Sequence, residues 1–136
     1  MESYITFNID NQIMGIDMLC VEKVIRLPKV IAIPNSVEYL EGVIDFQKAI
    51  LPVINLKKKL NLEKCDVTPD SSVIIITNTN GKSGIIVDSV NDIISLDVID
   101  LAKIPSSRYI NGIVNINGSI VSLLDTHSII MDSTLS

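Results

Sequence analysis

The chain lacks most of the residues on which catalytic and metal sites depend. It has no tryptophan, a single histidine (His127), and two cysteines (Cys20 and Cys65) that lie far apart, outside any Cys-x-x-Cys motif. A Ser-His-Asp or Cys-His site would have to use His127, yet no glycine-flanked nucleophile lies near it. Metal sites need several ligands at fixed spacing, which these residues do not provide. We therefore expect a protein that is not an enzyme and holds no metal or other cofactor.

The sequence also lacks the features that bind nucleotides, nucleic acids or membranes. Neither of the glycine-rich motifs that bind nucleotide phosphates is present. A net charge of −5 and only 4% aromatic residues argue against a nucleic-acid partner. The one basic cluster, Lys57-Lys58-Lys59, is expected to be a solvated helix face. No apolar run approaches the roughly 18 residues that span a bilayer, and the first residues do not resemble a signal peptide. We expect a cytoplasmic protein with reduced cysteines and no direct membrane insertion.

What the chain has in abundance is isoleucine and valine, within 47% apolar residues overall. β-Branched side chains favour strands, and a length of 136 residues suits one compact domain. Alternating apolar and polar residues predict strands over residues 4–9, 13–16, 22–27, 42–46, 49–54, 72–77, 84–90, 92–96, 110–115 and 119–124.

Residues typical of turns and helix caps separate these strands. Hairpin turns are predicted at residues 10–12, 47–48, 80–81 and 117–118. Pro52 predicts an edge or bulge position for its strand, because proline cannot donate to a ladder. Short helices are predicted over residues 34–40, 55–62 and 125–131, the last with Asp125 as its N-cap. Residues 63–71 form a polar linker. Asp88 and Asp125, which follow apolar strands, are expected to accept backbone N–H bonds at corners.

The two halves of the chain look like copies of one unit, offset by about 70 residues. The stretch over residues 39–44 matches 109–114, and Asn55 matches Asp125; the paired positions also include Gly15 with Gly84, Val21 with Val90 and Val24 with Ile93. The repeat predicts two small five-stranded barrels within a single domain over residues 1–136. One subdomain would cover roughly 1–70 and the other roughly 71–136, and an exchange of a strand between them is compatible with the pattern.

Five blocks of the sequence together resemble the CheW-like domain family. They are GIDMLCVEKVI (15–25), IPNS (33–36), LEGVIDFQKAILPVINL (40–56), SGIIVDSVNDIISL (83–96) and INGI (110–113). The resemblance covers nearly the whole chain, in order. It implies an all-β fold of two intertwined, SH3-like, five-stranded barrels with short helices. It also implies a non-enzymatic adaptor that couples chemoreceptors to the histidine kinase CheA. The regulatory domain of the kinase would bind barrel to barrel, and receptor tips would dock between the barrels.

The resemblance also implies a set of partner-binding residues: Val21, Lys23, Gly42, Gln47, Val73, Gly84, Val90 and Ile93. The sequence departs from the family pattern at two of them. Lys23 stands where an acidic residue is usual, and Asp45-Phe46-Gln47-Lys48 replaces the usual Asn-Leu-Arg-Gly. Lys23 and Gln47 are therefore expected to lie close together beside the receptor groove, and one interpretation is a paralogue with an altered receptor surface. The alternatives are a scaffold in a phosphorelay outside chemotaxis and a small-molecule-binding module.

Overall fold

The computed structural model describes residues 1–79, 81–97, 102 and 108–134, including all of their side chains except those of 131–134. These residues form ten strands and two short α-helices. The strands are β1 (Glu2–Ile9), β2 (Gln12–Asp17), β3 (Val21–Arg26), β4 (Leu40–Phe46), β5 (Ala49–Asn55), β6 (Ser72–Asn78), β7 (Gly81–Val87), β8 (Ser89–Leu96), β9 (Ile110–Ile116) and β10 (Ser119–Leu124). The helices are α1 (Leu56–Lys59) and α2 (Thr126–Thr134).

The hairpins form where the local turn chemistry predicts them. Gln47 and Lys48 have φ angles of 51° and 68°, and Asn117 and Gly118 have angles of 50° and 90°. Two successive positive φ angles match the right-handed twist of the flanking strands. These turns join β4 to β5 and β9 to β10 and are confirmed. Asn80, in the predicted turn at 80–81, lies outside the described residues.

The strands assemble into two five-stranded sheets that share one topology. One sheet, here sheet A, has the order β8-β1-β2-β10-β9, and the other, sheet B, has the order β3-β6-β7-β5-β4. The two orders become identical when each strand is replaced by its mate in the repeat. In both sheets the two central hairpins meet through a parallel pairing, β2 with β10 and β7 with β5. The predicted fold class, two intertwined SH3-like barrels, is therefore confirmed.

The sheets do not divide the chain near residue 70. Sheet A combines β1 and β2 with β8–β10, whereas sheet B combines β3–β5 with β6 and β7. Each copy of the repeat thus contributes its first two strands to one sheet and its last three to the other. The rough subdomain limits of 1–70 and 71–136 therefore do not coincide with the two sheets. The topology contains the exchange of strands that the repeat allowed, because strands of one copy pair with strands of the other.

Several local predictions also need correction. Residues 34–39 form turns and irregular backbone with no helix, and Leu40 already belongs to β4; Asn35 has a left-handed φ of 60°, which interrupts a helical run. Pro52 lies in β5, an inner strand and not an edge. On one side, Pro52 lies opposite Val43 of β4, whose N–H and carbonyl groups both bond to Ile31. On the other side, the parallel pairing of β5 with β7 begins only at Val53. The ladder therefore needs no donor at Pro52.

The core consists of one central cluster and one smaller cluster on each sheet. The central cluster draws buried side chains from both sheets and both helices, among them Phe7, Ile16, Ile74, Leu56 and Ile129. The sheet B cluster includes Phe46 and Val73, and the sheet A cluster includes Tyr4 and Leu123. Because the central cluster joins the two sheets, neither sheet buries its apolar face alone.

Candidate functional site

Strands β3 and β8 occupy equivalent edges of the two sheets, and both are bulged. The register between β3 and β6 shifts between Val21 and Lys23, and the register between β1 and β8 shifts between Ile5 and Phe7. An edge bulge twists a strand and re-aims its side chains. Both edges therefore present a run of outward-facing residues at equivalent places.

Four of the predicted partner-binding residues lie on these two edges. Val21 and Val90 are half-buried and pack against the central core cluster. Lys23 is exposed on β3, and Ile93 on β8 is 61% exposed. Their partner-binding role stays a prediction, and their accessibility is compatible with it.

Val73, by contrast, belongs to the core. Its side chain is completely buried in the sheet B cluster, so its predicted place on a contact surface is wrong. Its neighbour Gly84 is also buried, and a Cβ atom there would stand 2.6 Å from Cγ1 of Val73 and 2.9 Å from Cγ1 of Val53. Glycine is required at this point because the side chains of Val73 on β6 and Val53 on β5 occupy the space that a Cβ atom would need.

Gly42, also predicted as a partner contact, is buried as well. A Cβ atom at this position would collide with the backbone of Ile31, which bridges to Val43. The glycine lets the segment before β4 pack onto that strand. Its role in this structure is therefore close packing.

The structure shows no hydrogen bond between Lys23 and Gln47. Both side chains are exposed; Lys23 lies on the edge strand β3, and Gln47 lies in the turn between β4 and β5 at the other end of the order in sheet B. Their mates in the repeat, Asp92 and Asn117, line one groove of sheet A. The proximity of Lys23 and Gln47 stays a prediction, and at the place equivalent to Lys23 the other barrel carries the carboxylate of Asp92.

That groove is open, with an apolar floor and a polar rim. Its lining comprises Thr6, Ile13, Val90, Asn91, Asp92, Ile94, Ile116, Asn117, Ser119 and Val121. Sheet B has the larger Phe46 where sheet A has Ile116, and Phe46 is buried. The lining contains one carboxylate and no cation, so it offers no positive charge to a phosphate group.

Two exposed apolar residues, Ile50 and Ile120, are not among the partner-binding residues predicted from the sequence. Ile50 on β5 is 65% exposed and Ile120 on β10 is 57% exposed, each just beyond its hairpin turn. They are mates in the repeat at the offset of 70 residues. Singly exposed apolar residues are common, but the same exposure at both mates favours a contact surface. The repeat itself was the signal that could have identified them.

The three successive lysines of α1 are not a solvated face, so that expectation was wrong. Lys57 Nζ lies 2.6 Å from Oδ1 of Asp88, and Lys58 Nζ lies 3.8 Å from Oε1 of Glu41. Lys59 is buried. Helix α1 spans only four residues. Its first two lysines form ion pairs with acidic residues of neighbouring segments, and the third is buried.

The remaining polar groups have structural roles. Asp88 accepts a hydrogen bond from the backbone N–H of Asp10, and Asp125 accepts one from the N–H of Ser128, as expected for corner and cap residues. Burial raises the pKa of the Cys20 thiol, which keeps it protonated near neutral pH. His127 is exposed on α2.

Two negative findings concern only the part of the chain that the structure describes. No cluster of three or more His, Cys, Asp or Glu side chains there is placed to share a metal ion. No helix there has the length and apolar character needed to cross a membrane.

The chain is an all-β protein of two interlocked five-stranded barrels, and exposed apolar residues lie on or beside their edge strands. The family model of the CheW-like domain matches residues 3–133. The chain therefore belongs to the CheW-like domain family.

Individual relatives agree with this assignment. The chain is 26% identical to chemotaxis protein CheW of Treponema pallidum, over 96% of this chain and 83% of the relative. It is 28% identical to chemotaxis protein CheW of Thermotoga maritima, over 96% of this chain and 89% of the relative. The crystal structure of the scaffolding protein TtCheW from Thermoanaerobacter tengcongensis superimposes with a TM-score of 0.86 at 26% identity, covering 94% of this chain and 91% of that chain.

Proposed function

We propose that this protein is a non-enzymatic adaptor that couples chemoreceptors to the histidine kinase CheA. The observation that carries the proposal is the pair of equivalent apolar surfaces on a fold of the CheW-like family. Sheet B presents the edge strand β3 and the hairpin residue Ile50 to solvent, and sheet A presents the edge strand β8 and the hairpin residue Ile120. A protein with two such surfaces can contact two partners at once.

The receptor is assigned to the edges of β3 and β8. Val21 and Val90 supply a half-buried apolar centre, and Lys23 and Ile93 lie exposed beside them. An apolar centre with a polar rim is the usual composition of a protein interface. Lys23 forms no ion pair within the described residues, so its charge is available to a partner.

The kinase is assigned to the hairpin surfaces. Ile50 and Ile120 lie on the β4–β5 and β9–β10 hairpins, away from the edges of β3 and β8 in the strand order. An apolar side chain that is well exposed in the free protein and buried on binding is a candidate anchor for an interface.

The test uses purified partners from the organism that encodes this chain. The wild-type chain is titrated with the regulatory domain of CheA and, separately, with a receptor cytoplasmic fragment. We expect Ile50→Asp or Ile120→Asp to weaken kinase binding at least tenfold, and Lys23→Glu to change receptor affinity while kinase affinity is retained. Leu19→Asp, at a leucine that is more exposed than either isoleucine, is the control for the kinase. The absence of binding to either purified partner would refute the proposal.

Two further measurements distinguish the alternatives. A groove without a cation should give no heat when titrated with purine nucleotides, whereas saturable heat would favour a small-molecule-binding module. Binding to a histidine kinase that belongs to no chemoreceptor pathway, in place of CheA, would favour a scaffold in another phosphorelay.

A further inference from the structure

Lys59 is buried against two tyrosine rings. It ends helix α1, is only 7% exposed, and has its Nζ atom 3.7 Å from the ring centre of Tyr39 and 5.6 Å from that of Tyr109. Both distances lie within the roughly 6 Å over which a cation is attracted to an aromatic face. No ion pair among the described residues includes Lys59. The two rings are thus the nearest partners that the described residues offer to this charge.

The two tyrosines are mates in the internal repeat and are held in the same way. The carbonyl oxygen of Tyr39 accepts a hydrogen bond from the N–H of Asn55 at 2.8 Å, and that of Tyr109 accepts one from the N–H of Asp125 at 2.7 Å. Tyr39 leads into β4 of sheet B, whereas Tyr109 leads into β9 of sheet A. Because α1 follows β5 of sheet B, the contact between Lys59 and Tyr109 connects the two sheets.

The lysine itself is not duplicated. Its mate in α2 is Ile129, which is completely buried in the central cluster. Two ammonium groups in this position would repel each other in a medium of low dielectric constant. Because the second copy has isoleucine at this position, one ammonium group lies near both tyrosine rings. The contact between the two copies of the repeat is therefore asymmetric.

We propose that Lys59 is a positioning residue that ties the two copies of the repeat together and sets the relative placement of the β3 and β8 edges. Tyr39 and Tyr109 pack against the same central cluster as Val21 and Val90. A change in how the rings are held is thereby transmitted through close-packed side chains to both edges. Its consequence for receptor binding rests on the proposed function, but the positioning itself does not.

Double-mutant cycles on the isolated chain test the coupling. Lys59→Met, Tyr39→Leu, Tyr109→Leu and the two lysine–tyrosine double variants are compared by urea unfolding. We expect Lys59→Met to lower the unfolding midpoint and to be non-additive with each tyrosine change, more strongly with Tyr39 because that ring is closer. Lys59→Arg, which retains the charge and can stack on a ring, should recover most of the loss. Lys64→Met, at an exposed lysine, should leave the midpoint unchanged.

A second readout separates positioning from stability alone. In the fully folded state, Lys59→Met should shift the backbone amide NMR signals of both β3 and β8, and Lys59→Arg should restore them. Shifts confined to α1, or additive cycles with both tyrosines, would overturn the proposal. If Lys59→Met does not fold, the wild type still decides the question. The ε-methylene protons of Lys59 should resonate well upfield of those of Lys64 because of the ring currents, and coincident signals would refute the contact. None of these measurements uses a partner, so failure here is distinct from failure of the adaptor function.

Discussion

The bulge in β8 is expected to depend on one hydroxyl group. Thr6 Oγ1 donates to the carbonyl oxygen of Asp92 at 3.0 Å and accepts from its N–H at 3.1 Å. These bonds replace the ladder contacts that the register shift between β1 and β8 removes. Thr6→Val keeps the shape and favours a strand, but it leaves both backbone groups of Asp92 without their partner. For two neutral bonds at a part-buried site we expect a loss of about 1–3 kcal/mol in the free energy of unfolding.

The assay is thermal and urea unfolding, with Thr6→Ser as the matched control. Serine keeps the hydroxyl and loses one methyl group, which costs about 0.8 kcal/mol or less. For a chain of this size about 1 kcal/mol corresponds to roughly 4 °C in Tm. The Thr6→Val variant should therefore melt several degrees below Thr6→Ser, and hydrogen exchange at the Asp92 amide should be faster only in the valine variant. A valine variant as stable as the serine variant would refute the reasoning.

Four further predictions concern packing, turn strain, titration and cooperativity. Gly84→Ala should destabilise the fold by about 2–3 kcal/mol, because its Cβ would meet two stiff buried valines. Its mate Gly15→Ala should cost less, because it meets a rotatable leucine side chain; equal losses in urea would contradict this. Lys48→Gly should stabilise the β4–β5 hairpin by about 0.5–1 kcal/mol, since the lysine has a φ of 68°; a lower Tm would show that the side chain itself is needed. Burial and a hydrogen bond to Glu2 raise the pKa of Tyr4 from 10.0 to about 12. The folded state therefore binds the proton more tightly, and its stability should fall between pH 10 and 12. Tyr4→Phe should make that fall shallower, and an unchanged slope would contradict the assignment. Finally, calorimetry should show one cooperative transition, because each sheet uses strands from both halves; two separated transitions would show independent units.

The hairpins and caps were predictable because their determinants are local. Successive positive φ angles at residues 47–48 and 117–118 follow from short turns between alternating strands. Asp125 caps α2 through the N–H and hydroxyl of Ser128, three residues further on. A turn or a cap involves residues close in sequence, so its chemistry can be read without knowledge of the fold.

The errors concerned residues whose environment is non-local. The basic run at 57–59 resembles a solvated helix face, yet Lys57 pairs with Asp88, 31 residues further along the chain, and Lys59 lies against Tyr109, 50 residues further along. Val73 was placed on a contact surface and lies in the core. Composition and periodicity do not specify which distant group faces a side chain.

The sequence by itself determined that this is an all-β protein built from two copies of one unit, because alternation, turn residues and the repeat are properties of neighbouring positions. It also carried enough ordered motifs to identify the CheW-like family. Only the tertiary structure decided that each copy divides its strands between both barrels, and that Tyr39 and Tyr109 share one lysine. The physical reason is that strand pairing and core packing join residues far apart in the chain. Because the two copies have nearly equivalent strands, the strands of one copy could pair with each other or with strands of the other copy. In the structure they pair with the other copy, and both sheets share the central core.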